Sequence, residues 1–171
     1  MSQTENKFEI RATISPSDKE FRSRISVDVW ERIKSKALRD DGFKCQGCGF
    51  EPYDVSADKV LDVHLVEENI INPEDSKFRT ECMLCHMIEH ADAAISNEYV
   101  ILVNSKFSQG ELVNICRNRA IPSNIEDGSI RILKKTLPEF LEELKNGKAL
   151  EGKVKLIFTE KYLKRLDINP F

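Results

Sequence analysis

Two Cys-x-x-Cys pairs, Cys45-Gln46-Gly47-Cys48 and Cys82-Met83-Leu84-Cys85, are separated by 33 residues. Four thiolates at this spacing match a tetrahedral zinc site. Each pair lets two sulfurs reach one ion from a single turn of chain. Two pairs complete the tetrahedron and leave no open position, which is the pattern of a structural site. The expected fold brings the two segments together around Zn2+, with Cys45, Cys48, Cys82 and Cys85 as ligands; an iron site or two separate reduced knuckles are the alternatives. Such a site contributes on the order of 10 kcal/mol to folding. The fifth cysteine, Cys116, falls in an apolar helical stretch and reads as a buried small residue.

At 171 residues, 32% charged and 40% hydrophobic, the chain suits one globular domain with an appendage. Its longest clean apolar run, Tyr99 to Val103, is too short to cross a bilayer. The first residues, Met1 to Lys7, lack a basic-then-apolar export signal. The expected location is the cytoplasm, where reducing conditions favour metal thiolates over disulfides. Net charge is unevenly spread: +2 over residues 1–50, −9 over 51–105 and +4 over 106–171. The acidic block coincides with the cysteine region, the wrong sign for gripping phosphates.

Alternation predicts strands at Phe8–Ile14, Leu61–Val66, Glu98–Val103 and Val154–Phe158, with a short extended piece at Arg22–Ser26. Trp30, Ile33, Ala37 and Leu38 share one helical face, capped by Ser26 or Asp28 and ended at Gly42. Glu67–Ser76 reads as a polar loop with solvated carboxylates at Glu67, Glu68, Glu74 and Asp75. A helix is expected from about His86 to Ile95. Ser108 and Glu111 form a capping-box pattern before Leu112, Ile115 and Cys116. Residues 123–137 read as a connector, followed by a helix from Pro138 and a last helix capped by Thr159. The expected division is 1–122 for the zinc domain and 123–171 for a helix-strand-helix extension packed on or next to it. The expected class is α+β.

His86 and His90 fall four residues apart, on one face of the expected helix. Together with His64 on the strand they could hold a second ion; the plainer reading is a partly exposed helix with unligated histidines.

The order helix, Asp41-Gly42-Phe43-Lys44-Cys45, strand with His64, then Cys82-x-x-Cys85-His86 resembles the zinc-stapled form of the HNH endonuclease family. The resemblance implies a ββα core in which a histidine serves as general base and a neighbouring residue and a helix histidine hold a divalent cation. Laid on that family's strand pattern, His64 takes the metal-ligand position and Leu65 the base position. Lys77 falls where the family has a positioning Asn, and His86 matches the helix histidine. Leucine accepts no proton, and loss of a general base typically costs ~10²–10⁴-fold in rate. No catalytic residue is expected, and His64, His86 and His90 would form a secondary or vestigial site.

A narrower set of segments, Arg39 to Phe50, Phe107 to Cys116 and Ile14-Ser15-Pro16, resembles the DotN (IcmJ) family of small zinc proteins in type IVB (Dot/Icm) secretion coupling complexes. The match covers roughly residues 8–120. It implies an adaptor without nuclease activity. Such an adaptor binds the C-terminal segment of a DotL-like coupling ATPase, beside DotM-like and effector-adaptor subunits. It would be recruited to the inner membrane face through that complex, with no direct membrane insertion. The alternatives are a metal-dependent HNH-type DNA endonuclease, and a zinc module that binds nucleic acid without cutting.

Overall fold

A computed structural model describes residues 18–53, 57–118, 130–133, 137–146 and 154–166. The expected strand at Phe8–Ile14 and most of the 123–137 connector lie outside them. The class is α+β, and the described residues divide into two compact units at His86.

The first unit holds α1 (Asp18–Ser23), α2 (Val27–Asp40), α3 (Ala57–Val60), β1 (Leu61–Glu67) and β2 (Lys77–Cys82). It also holds the first turn of α4 (Met83–Glu89). Ser26 caps α2 by accepting from the Val29 amide, and Ile33, Ala37 and Leu38 are its buried stripe. β1 and β2 form an antiparallel hairpin, with Leu61 opposite Cys82 and Val63 opposite Thr80. Residues directly opposite share a face. One face therefore carries Leu61, Val63, Leu65, Phe78, Thr80 and Cys82; the other carries Asp62, His64, Arg79 and Glu81. Phe78 meets Phe21 and Trp30 edge-on, at centroid distances of 5.4 and 6.0 Å, and the Arg22 guanidinium lies 4.0 Å over the Trp30 ring.

Two elements of this unit depart from expectation. Residues 18–23 are helical and Arg24 and Ile25 turn back on them, so of the extended piece expected at Arg22–Ser26 only Ser26 is extended. β2 is the second strand that the ββα resemblance implies, but the residue-by-residue reading assigns no strand to Lys77–Cys82. Its register comes from pairing with β1, a non-local cause that a local reading of Lys77–Cys82 does not contain.

In the second unit, α4 ends at Glu89, and α5 (Ala91–Ser96) begins after His90. The single helix expected over His86–Ile95 is thus two helices. β3 (Val100–Ser105) is the centre of a three-stranded antiparallel sheet ordered β4-β3-β5. Its neighbours are β4 (Ile130–Ile132), which falls inside the expected connector, and β5 (Val154–Phe158). The helices α6 (Gln109–Arg117), α7 (Leu137–Lys145) and α8 (Glu160–Arg165) complete it. Both bonds of the Ser108–Glu111 capping box are formed, and Thr159 caps α8 through the Tyr162 amide. Leu102, Val103, Leu112, Val113, Cys116, Phe140, Leu156 and Phe158 make the core.

Gln109 is 1% exposed. Its amide donates to the Leu156 carbonyl at 2.7 Å and accepts from the Leu156 N–H at 3.0 Å. β5 is an edge strand, and this one side chain supplies both bonds that a further strand would have made at Leu156.

No helix among the described residues is long and apolar enough to cross a membrane.

Candidate metal centre

The first cysteine pair is aimed by the way α2 ends. Gly42 adopts φ +63°. The Phe43 amide donates to the Leu38 carbonyl at 2.8 Å and the Gly42 amide to the Arg39 carbonyl at 3.0 Å. These two bonds are a Schellman closure with glycine at its left-handed position. The chain leaves the helix at a fixed angle and enters a tight turn. Within it the Gly49 amide donates to the Cys45 carbonyl at 2.9 Å and the Cys45 amide to the Phe50 carbonyl at 2.8 Å. Phe43, at φ +55°, continues the left-handed bend begun at Gly42, and Gly49, at φ +77°, makes a further one.

The second pair arrives from β2. Cys82 is the last residue of that strand and Cys85 lies in the first turn of α4. Thr80 locks the two segments together. Its N–H donates to the Asp41 carboxylate at 2.6 Å, its hydroxyl to the Ala37 carbonyl at 3.2 Å, and its carbonyl accepts from the Gln46 amide at 2.9 Å. Thr80 is fully buried, so each of these bonds substitutes for one that water cannot make.

All four sulfurs are buried and lie within 4.8 Å of one another. Cys48 Sγ and Cys82 Sγ, one from each pair, are 3.7 Å apart. A tetrahedral ion with Zn–S bonds of about 2.3 Å requires sulfur–sulfur edges of about 3.8 Å. The residues present thus fit a four-thiolate metal, and the cluster can hold a metal ion.

The electrostatics of the bare cluster point the same way. Cys45 is held below the ordinary thiol range chiefly by its hydrogen bond with Cys48. Cys48 is pushed up by Cys45 but lowered further by Cys82 and Cys85. Cys82 is lowered chiefly by Cys45. Cys85 goes far above the ordinary range, because its contacts with Cys45, Cys48 and Cys82 all favour its protonated form. Four buried sulfurs cannot all be anionic beside one another unless a cation sits among them. A divalent ion would displace the remaining protons.

Cys116 lies outside this group. It is 1% exposed in the second unit, and burial pushes its thiol up to about 11. That agrees with its expected role as a buried small residue.

The histidines expected to form a second site are distributed as follows. His64 is 3% exposed on the polar face of the hairpin. His86 follows Cys85 on α4, and the two rings meet edge-on with centroids 5.3 Å apart. The His86 Nδ1 atom is 4.0 Å from Asp62 Oδ2, and Arg22 grips both Asp62 oxygens at 3.0 Å. Arg79 pairs with the fully buried Glu81 at 2.7 Å on the same face. His90 is a residue of the second unit, half-buried at the break between α4 and α5 with φ −106° and ψ 57°. The helix that carries His86 ends at Glu89, so His90 stands just past it. Leu65, on the opposite face of β1, is half-buried.

The loop carboxylates are exposed, as expected, yet they are engaged. Glu67 pairs with Lys77, Glu68 with Arg24 and Glu74 with Arg32, while Asp75 accepts from the Asn72 side chain. Sequence reading missed Thr80 and Asp41 as supports of the metal cluster; nothing short of the β1–β2 register would have revealed them.

No protein-family model matches the chain, and no curated protein matches it.

Proposed function

We propose that Cys45, Cys48, Cys82 and Cys85 bind one zinc ion. On that reading the ion staples an HNH-like core that has no nuclease activity. The protein acts as an adaptor subunit of a type IV secretion or conjugation coupling complex, binding the C-terminal segment of its coupling ATPase. Zinc suits the all-sulfur, four-coordinate donor set, which favours soft or borderline metals over magnesium or calcium.

The observation that carries the reading is the closed cysteine cluster. Four buried sulfurs at tetrahedral spacing leave no position for water or substrate. Beside it, the strand position next to His64 is held by Leu65, which can neither bind a metal nor take a proton. The acidic stretch 51–105 disfavours a phosphate backbone and suits a basic peptide.

Purification from the native host, with partners identified by mass spectrometry, tests this directly. A coupling ATPase should co-purify and be lost when its C-terminal segment is deleted. If the complex assembles without this chain, and the chain retains no ATPase segment, the adaptor role is wrong.

A second reading, a metal-dependent DNA endonuclease, is favoured by one observation: the edge-on approach of His64 and His86. Plasmid nicking in magnesium, manganese or nickel that His64→Ala abolishes would establish it. Absence of nicking in all three would exclude it.

A further inference from the structure

The first unit carries a groove of about 470 Å³ between the second half of α2 and the chain entering β2. Ile33, Ala37 and Phe78 line it with apolar surface. Asp40, Asp41, Glu74 and Asp75 also line it, against Lys36 and Lys77 alone. Lys36 is paired with Asp40 at 2.7 Å, Lys77 with Glu67 outside the lining, and Glu74 with Arg32.

The groove wall at Glu74–Ser76 continues a turn that presents two aliphatic side chains to solvent. Ile70 is 83% exposed and Ile71 96%. Their exposure is built in rather than left to chance. The Asn69 carbonyl oxygen of the side chain accepts from the Ile71 and Asn72 amides, both at 3.0 Å. The Asn69 amide donates to Ser76 Oγ at 2.8 Å. Asn72 in turn caps the 3₁₀ turn Pro73–Asp75. A loop held this firmly, with adjacent isoleucines at its tip, keeps apolar surface in water at a cost.

We propose that this groove and the Ile70–Ile71 tip form one docking surface for a basic amphipathic peptide segment. Charge selects the occupant. The lining carries more carboxylates than ammonium groups and stands in the most acidic third of the chain. A segment that alternates lysine or arginine with aliphatic residues would lay its apolar side chains on Ile33, Ala37 and Phe78 and against the isoleucines. Its cations would meet Asp75 and share Glu74 with Arg32. The inference rests on the adaptor reading and names the surface and partner chemistry that reading requires.

The test uses the zinc-loaded full chain and a fluorescein-labelled amphipathic peptide of leucine and lysine, followed by fluorescence anisotropy. A glutamate counterpart of the peptide is the control. The lysine peptide should bind and the glutamate peptide should not. Asp75→Lys should weaken binding about tenfold through the lost charge match. Ile71→Ser should weaken it by a similar factor through the lost apolar contact. Glu51→Lys, the same charge change at an exposed site outside the groove, should leave it unchanged. Each variant is read only with full zinc content and unaltered circular dichroism; Ile71 is so exposed that its replacement spares the fold.

No binding of the lysine peptide, equal binding of both peptides, or equal loss with Glu51→Lys would each overturn the assignment. So would self-association of the protein, seen by sedimentation, that Ile71→Ser abolishes, because the occupant would then be a second copy. An ATPase that co-purifies with the wild type and equally with both groove variants would refute this surface while leaving the adaptor role standing.

Discussion

The two units solve the same problem by different means. The second has a three-stranded sheet and a continuous apolar core running from Val100 to Leu163 in sequence. The first has a two-stranded hairpin, one long helix and a single buried cluster of four sulfurs. A lone hairpin is marginal in water, and one face of this one is given over to Asp62, His64, Arg79 and Glu81. Apolar burial is therefore limited on that side, and on the proposed reading an ion in the cysteine cluster would supply the missing cohesion. One unit is held by packing; the other, on that reading, would rely on coordination as well.

Chelation should break that contrast most sharply. Removing the ion withdraws a contribution on the order of 10 kcal/mol. Hydrogen exchange should then lose protection at β1 and β2 while β3 and β5 keep theirs. Trp30, the sole tryptophan, lies in the first unit and should shift its emission to the red. Uniform loss across both sheets, or no loss at all, would remove the distinction between the units.

The reverse lesion is Gln109→Ala. It strands the N–H and C=O of Leu156 in the core, each costing roughly 1–3 kcal/mol. Denaturant unfolding should show a loss of that combined size, with zinc content unchanged.

A third probe is alkaline pH. The Cys116 thiol is raised from its ordinary 9.0 to about 11 by burial. Between those values the unfolded chain has released this proton and the folded chain has not, so folding grows less favourable as pH rises. The loss should be complete at about pH 11 and reach on the order of 3 kcal/mol. Cys116→Ala should flatten that part of the stability profile, and an identical slope in the variant would refute the assignment. The smallest effect is Ser108→Ala, which removes one cap of α6 and should cost ~1 kcal/mol without touching the metal.

The features legible in sequence are those with local causes. The stripe of α2, its Ser26 cap, the Ser108–Glu111 box and the Thr159 cap each lie within a few residues of the backbone they organise. The cysteine spacing likewise announced its cluster, because sulfur in that pattern has few other uses. β2 is marked by charged Lys77, Arg79 and Glu81 alternating with Phe78, Thr80 and Cys82, but the run is short, follows a polar turn and takes its register only from β1. β4 is three residues long and depends on β3 in the same way. The break at His90 has no proline or glycine to mark it. The polar face around His64 was half legible. The histidines could be named, but not that Asp62, Arg79 and Glu81 would share their side of the hairpin.

Gly42 has one further implication. Its left-handed bend directs the first cysteine pair, and a methyl group built there would meet no atom within 4 Å. The obstacle to replacing it is thus one of handedness and not of room. A mirror-image alanine, introduced by chemical ligation, would prefer the very dihedral that natural alanine resists. It would hold the apoprotein's first cysteine loop ready before any ion arrives, and such a protein should capture its metal more tightly than the native chain.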